Sequence, residues 1–359
     1  MRVTHVNFAR GFRGGERQTL NLIEGLAELG GVDQTLICRD GSELKRRAAA
    51  SGLRAIEVSH PLCGHFSPPP SDIIHVHEAR GAYWAAIEHA FRKTHYIITR
   101  RVPNPISGSS ITASVYRHAT RLLGVSQDVS HRLASQSGRP VHTILSSATA
   151  HSMHPDLVRD IKKTLGGGPI IGHVGALHDH HKGQSVLIEA FHKLLIDYPQ
   201  ARLLLVGDGP DRVHFESLAK GDKRIYFAGF QQEVGSWIAA MDVFSFPSRE
   251  EGLGSSVLDA MALGIPVVAS AVGGLPELIG HDERGLLVRD HDPANWSRSI
   301  RRMLTDDAMC HCQVNAARQF AKENGVAAMT KSYLELYGNI LNCTHYAPKE
   351  SRHAVRVVH

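Results

Sequence analysis

PSREEGLGSSVLDAMALGIPVVASAVGGLPE, residues 247–277, sets two carboxylates, Glu251 and Asp259, eight residues apart among loop and helix signals. DVFSF (Asp242–Phe246) before it and IPVVAS (Ile265–Ser270) in its second half are apolar runs of strand length. Between them Gly252 and Gly254 supply a turn, and Ser255–Leu263 keeps Val257, Leu258, Met261 and Ala262 at helical spacing. The order is strand, glycine loop, helix N-terminus. The amides of Gly254, Ser255 and Ser256 then lack partners within the helix and lie at the positive end of its dipole. Such an end suits a phosphate or diphosphate, and an ordinary strand-to-helix turn of an α/β sheet has the same signature.

The alternation continues outward on both sides. PIIGHVG (169–175), ARLLLVG (201–207), IYFAG (225–229) and GLLV (285–288) are further strands, with helical stretches near 183–198, 211–220, 232–241, 275–280 and 293–304. In the first half VTHVNF (3–8), QTLIC (34–38), AIEV (55–58), DIIHVH (72–77) and HYIITR (95–100) are strands, interleaved with helices over Gln18–Leu29, Ser42–Ser51 and Ala82–Arg92. Strands alternating with helices predict parallel sheets covered on both faces. The expected fold class is α/β, two Rossmann-like domains facing across a deep cleft, with ligands at the carboxyl ends of the strands. The expected divisions are residues 1–165, residues 166–310, closing helices over 311–345 that pack back towards the first domain, and a loose basic tail over 346–359. The cluster Gly166, Gly167, Gly168 and Pro169 marks a linker near 160–170.

A chain of 359 residues is long for one ordinary domain and comfortable for two. Its 42% hydrophobic and 21% charged residues are those of a soluble globular protein. No apolar run approaches about 18 residues, and MRVTHVNFAR at the start has no signal-peptide core, so a cytoplasmic protein is expected. Cys38, Cys63, Cys310, Cys312 and Cys343 are odd in number and lack framework spacing, as reduced thiols do. Residues 1–165 hold 21 Lys and Arg against 13 Asp and Glu, and the remainder 19 against 22. The basic half is suited to an anionic membrane surface or a phosphorylated acceptor, or is simply a solvated face. Nucleic acid is disfavoured as a partner, because no aromatic-interleaved strand or recognition motif accompanies the charge.

GHVGALHDHHKGQSVLIEAFHKL, LLLVGDGPDR, IYFAGF, MDVFSFPSREEGLGSSVLDAMALGIPVVAS and VGGLPELI follow one another from about Ile170 to Val288. Together they resemble the retaining glycosyltransferases of the GT-B fold, of the family-four or glycosyl transferases group 1 type. GGERQTLNLIEGLAELG, DIIHVHEARGAYWA and GVSQDVSHRL extend the resemblance more loosely into the first half. Dinucleotide dehydrogenases are disfavoured, because Gly11, Gly14 and Gly15 do not have the G-x-G-x-x-G spacing. The resemblance implies that Lys182 contacts the donor diphosphate and stabilises the charge on the leaving group. It implies that Glu251 holds the transferred sugar and that Asp259, in the place of a glutamate, holds the ribose. Gly14, Gly15, Gly207, Gly229, Gly254, Ser255 and Ser256 are the further donor-binding positions. Arg101 is expected to add charge at the reacting centre, and Arg100, His77 and Glu78, all near strand ends, to meet the acceptor. Glu16 opens a helix and is read as a cap.

Two departures stand out. Asp259 is one methylene shorter than the glutamate of the family, and Ala176 stands where relatives usually carry an arginine, which removes a bidentate phosphate fork. His178, His180 and His181 lie in the same loop and are expected to donate in its place. The tight H-D-H-H run and Cys310, His311, Cys312 lack zinc spacing, so no metal or other cofactor is expected beyond a nucleotide-sugar co-substrate, UDP-linked. The resemblance implies retention without a protein nucleophile: the acceptor hydroxyl attacks on the face that the diphosphate leaves. A glycan or lipid-linked acceptor of lipopolysaccharide or surface polysaccharide synthesis is expected. The competing readings are a nucleotide-sugar epimerase of similar two-domain shape and a non-catalytic sugar-nucleotide binding protein.

Overall fold

The computed structural model describes residues 1–49, 52–60, 62–65, 68–106, 108–341 and 356–358. Cys343, Ser51 and most of the 346–359 tail therefore lie outside the described residues. Contacts divide the chain into one unit of Met1–Ser147 with Val326–His359 and a second of Ala148–Gly325.

In the first unit the apolar runs become β1 (Arg2–Asn7), β2 (Asp33–Arg39), β3 (Arg54–Val58), β4 (Ile73–Val76), β5 (His95–Arg100), β6 (Arg121–Gly124) and β7 (Val141–Thr143). α1 (Gly14–Leu29), α2 (Glu43–Ala48), α3 (Gly81–Arg92), α4 (Ser110–His118) and α5 (Gln127–Ser137) connect them. Ser42, Ser109 and Ser126 begin α2, α4 and α5 by accepting the amides of Lys45, Thr112 and Val129. β4 is buried along its whole length, as a central parallel strand covered on both faces must be.

The second unit holds β8 (Ile170–Val174), β9 (Arg202–Val206), β10 (Ile225–Gly229), β11 (Val243–Phe246), β12 (Val267–Ser270) and β13 (Leu286–Val288). Its helices are α6 (Pro155–Leu165), α7 (Asp179–Lys182), α8 (Gln184–Leu194), α9 (Arg212–Ala219), α10 (Gly235–Ala239), α11 (Ser255–Leu263), α12 (Leu275–Ile279), α13 (Pro293–Thr305) and α14 (Asp307–Glu323). Strand order is β10-β9-β8-β11-β12-β13, all parallel. In the first unit the order runs β3-β2-β1-β4-β5-β6-β7, then an antiparallel β14 (Arg356–Val358) on β7. Both sheets thus reverse winding once, between β1 and β4 and between β8 and β11. In a doubly wound sheet that reversal opens the ligand crevice at the carboxyl ends of the strands.

The boundaries differ from the sequence division. Gly166 ends α6 in the left-handed region (φ 86°), its amide bonded to the carbonyls of Lys162 and Lys163, and a Cβ on Gly168 would overlap the Gln200 carbonyl. These glycines stop a helix and admit close packing inside the second unit. The closing helices also part company: α14 stays with the second unit, and α15 (Val326–Leu341) joins the first. Gly25 on α1 makes room for it, since a Cβ there would overlap Thr330 Oγ1. Tyr333 and Tyr337 of α15 are buried with Val3, Leu22, Ile97 and Leu123.

Candidate functional site

At the winding reversal of the second unit, β8 leads through Gly175–His178 into α7, and β11 leads through Pro247–Gly254 into α11. The two turns interlock. Arg249 N–H donates to the His181 carbonyl (2.8 Å), and Gly183 (φ 63°), which follows α7, sits so close to the Pro247 carbonyl that any side chain would overlap it. Lys182 is thereby held against Glu251: Nζ donates to Oε2 at 2.5 Å and lies 4.8 Å above the Phe246 ring. Ser248 Oγ donates to Glu251 Oε2 (3.4 Å), and Gly252 N–H to Oε1 (3.2 Å). Below Phe246 the His173 ring, stacked at 5.4 Å, bonds the Ser245 carbonyl through Nδ1, and burial pushes its pKa down to about 4. Gln184 joins His173 to the Ala176 carbonyl through its Nε2 amide. Lys182 and Glu251, two of the three residues expected at the reacting centre, are therefore together, with side chains 22% and 15% exposed.

Gly254 takes φ 97° just before α11, a conformation that needs glycine, and its Cβ position lies 2.6 Å from Leu275. Ser255 and Ser256 open the helix and are half-buried, with first-turn amides that no helical carbonyl reaches. Gly207 and Gly229 bond each other, the Gly207 amide donating to the Gly229 carbonyl (2.9 Å). Asp259 is buried, and its carboxylate turns to the segment that enters the unit: Oδ1 accepts from Thr149 N–H (2.8 Å), and Oδ2 lies 3.0 Å from His151 Nε2. That tether is a role the sequence did not suggest for the short carboxylate. His178 and His181 stack at 4.7 Å, His180 meets His181 edge-on at 5.0 Å, and His178 Nδ1 is buried without a partner.

The first unit builds its reversal point differently. Glu16 caps α1, accepting from Arg13 N–H (2.9 Å). Gly14 and Gly15 form the first residues of α1, and the Cβ position of Gly15 lies 3.6 Å from Arg101 Cδ, so the Arg101 stem crosses the helix start. Arg101 Nη2 lies 3.4 Å from His77 Nδ1, and its Nε is buried without a partner. The three residues expected to meet the acceptor are committed to the protein itself. Glu78 accepts from the amides of Phe8, Arg80 and Gly81, tying β1 to the start of α3, and burial raises its pKa. Arg100 donates to the Asn104 carbonyl (2.6 Å) and to Tyr116 Oη (3.4 Å), bracing the loop after β5. His77 is buried with both ring nitrogens engaged, Nε2 to His5 Nδ1 at 3.0 Å and Nδ1 to Arg101. Neither nitrogen is left for an acceptor hydroxyl.

His5, unnoticed in the sequence, also reaches Gln34 Oε1 through Nε2 (3.0 Å). His75 bonds Tyr337 Oη (2.6 Å) and Thr99 Oγ1 (2.8 Å). Burial pushes His5 down to about 4 and His75 and His77 well below the ordinary histidine range, with Arg101 adding to the shift of the latter two. Among the described residues these three histidines are the one group whose ligating atoms converge, within 4.8 Å. Each ring nitrogen already has a hydrogen-bond partner and a guanidinium is in contact, an arrangement that opposes a dication.

Comparison with known proteins gives this geometry a class. Residues 168–306, most of the second unit, match the family described as Glycosyl transferases group 1. The whole chain superposes on HepE of Anabaena, solved in complex with UDP, with a TM-score of 0.82 over 94% of this chain and 100% of that one at 17% identity. The chain has the GT-B fold, and its second unit is similar to the glycosyl transferases of group 1. Among relatives, the lipopolysaccharide core biosynthesis glycosyltransferase LpsE of Rhizobium meliloti is 27% identical over 94% of this chain and 98% of its own length. The 2-deoxystreptamine glucosyltransferase of Streptomyces kanamyceticus is 34% identical over 52% of this chain, a match that spans 51% of that relative.

Proposed function

We propose that the chain is a retaining glycosyltransferase that moves a sugar from a uridine-diphosphate donor to a hydroxyl of a glycan or lipid-linked acceptor in lipopolysaccharide or surface polysaccharide synthesis. The observation that carries this is the Lys182–Glu251 pair at the winding reversal of the second unit, on the loop that runs into the α11 N-terminus. A donor diphosphate would compete with Glu251 for the Lys182 ammonium, which has three N–H donors, and would take the α11 amides. Glu251 is then free to accept from a sugar hydroxyl. The acceptor oxygen bonds the anomeric carbon as the carbon–phosphate oxygen bond breaks, and the acceptor proton passes to the departing diphosphate. Lys182 and the amides of Gly254, Ser255 and Ser256 supply positive charge where that bond breaks, and positioning does the rest. The His178, His180 and His181 group stands in for the phosphate arginine that Ala176 replaces. The names of LpsE and of the UDP complex of HepE support the acceptor class and the nucleotide.

Among the described residues no helix is long and apolar enough to cross a membrane. The excess of Lys and Arg in residues 1–165 supports electrostatic attachment to the inner face of a membrane, where a lipid-linked acceptor lies. Vesicles containing anionic lipid should retain the protein at low salt and release it at high salt. The reaction is tested by ranking nucleotide sugars by protection against thermal unfolding, then assaying the best donor with candidate acceptors and reading the product anomer by NMR. Donor conversion without acceptor would make the protein an epimerase, and binding without turnover would make it a sugar-nucleotide binding protein.

A further inference from the structure

A guanidinium largely covered by protein is costly unless something brings it negative charge. Arg101 has no carboxylate within ion-pair distance among the described residues: the Tyr333 phenol and Glu16 act on it only through space, and its bonded neighbour is a neutral imidazole. The imidazole is itself held in one form, and the chain of bonds fixes which. Gln34 Nε2 donates to the Ile23 carbonyl (3.0 Å), so Gln34 Oε1 faces His5 and can only accept. His5 therefore carries its proton on Nε2 and accepts on Nδ1. His77 must then donate from Nε2 to His5, which leaves its Nδ1 lone pair for Arg101. Read from the other end the answer is the same, because a guanidinium can only donate. Burial keeps both rings neutral at pH 7.

We infer that Arg101 is an anion-recognition residue of the first unit, taking a phosphate or carboxylate group of a substrate, and that Gln34, His5 and His77 are positioning residues whose single tautomer aims it. The assignment of that anion to a substrate rests on the transferase reading, whereas the site itself rests on geometry. The relay holds the stem across Gly15 without neutralising the head, so the free N–H groups and the full charge remain for the ligand. A carboxylate in the place of His77 would hold the arginine more strongly and consume the charge. Two sources carry suitable oxygens, the donor diphosphate and an anionic group on the acceptor.

The test uses the full chain, with thermal stabilisation read for UDP alone and for inorganic phosphate added to UDP-saturated protein. Arg101→Gln should weaken one of these by about tenfold or more. Loss in the UDP titration assigns the anion to the donor, and loss confined to the phosphate titration assigns it to a second substrate. Arg101→Lys, which keeps the charge and loses the planar fork, should recover only part of the effect. His77→Phe, which fills the space but cannot accept, should weaken the same titration by about three- to tenfold, and His77→Gln, which can donate and accept, should restore most of it. Unchanged affinities for both ligands in the Arg101 variants would overturn the site. His77→Phe and His77→Gln giving equal affinities would overturn the relay. Should the wild-type protein bind no UDP, the transferase reading fails, while phosphate titration of the same variants without nucleotide still decides the site.

Discussion

The two units carry the same topology and opposite electrostatics at the same place. In the second, the cation at the winding reversal is already paired: Lys182 touches Glu251, and both stay partly open to solvent. In the first, Arg101 leans on a chain of neutral imidazoles and meets no carboxylate among the described residues. A paired lysine is a compact charge that a ligand can draw away from its partner, and its release exposes an acceptor as well as a donor. An arginine braced by neutral hydrogen bonds is fixed in direction and needs no such exchange. The first arrangement suits a site that must respond to what binds, the second a site that recognises one charge in one place.

The sharpest way to break this contrast is at Lys182. Its replacement by alanine should lower kcat/KM by about 10²–10³, as loss of one preorganised cation does, with the fold retained because the pair is partly open to solvent. A variant with wild-type turnover would remove Lys182 from the chemistry.

Acid separates the units next. The buried histidines have folded pKa values below the unfolded value near 6.5, so the unfolded chain binds protons first. Their contribution is full above about pH 6.5 and is lost as pH falls towards about 4. A shift from 6.5 to about 4 at His5 corresponds to about 3 kcal/mol, and the first unit buries His75 and His77 beside it, whereas His173 is alone in the second site. Amide hydrogen exchange at pH 7.5 and 4.5 should show β1, β4 and β5 losing protection by a larger factor than β8 and β11. Equal losses in both sheets would mean that the relay is not the more acid-labile centre.

Asp259 offers a smaller effect and a sharper distinction within the second unit. If its carboxylate serves the segment at Thr149 and His151, Asp259→Ala leaves a buried amide and imidazole without their partner and costs about 1–3 kcal/mol. Chemical denaturation measures this directly. A variant as stable as the wild type would return Asp259 to the ribose-binding role that the family resemblance implies.

Much of this was legible beforehand, for identifiable reasons. Strand-length apolar runs and glycine turns are local signals, so β5 and α11 have the bounds read from sequence, and Lys182 and Glu251 sit in short motifs whose backbones interlock. The relay was not legible, because Gln34, His5, His77 and Arg101 lie on or just after four different strands and only strand pairing brings them together. One cue was available: a histidine inside VTHVNF, in a strand covered on both faces, must find partners. Glu78 and Arg100 had strand-end positions that suggested ligand contacts, but backbone groups two to four residues on take them, whereas His77 is taken by the distant His5 and Arg101. Gly166 to Gly168 misled in another way, since a glycine cluster marks a helix stop and a linker alike.

The histidine group of α7 tests how far the second unit has departed from a guanidinium solution. Ala176 presents a carbonyl bound to Gln184 where the family resemblance implies an arginine, and the further donors of the same loop are the rings of His178, His180 and His181. Each imidazole offers one or two donors and no fork, so together they replace only part of a bidentate contact. Replacing all three with alanine should weaken UDP binding by about three- to tenfold, read by calorimetry, while leaving the Lys182–Glu251 pair intact. Unchanged affinity would mean that α11 and Lys182 alone hold the diphosphate, so that the grip of the second unit is weaker than the family pattern implies.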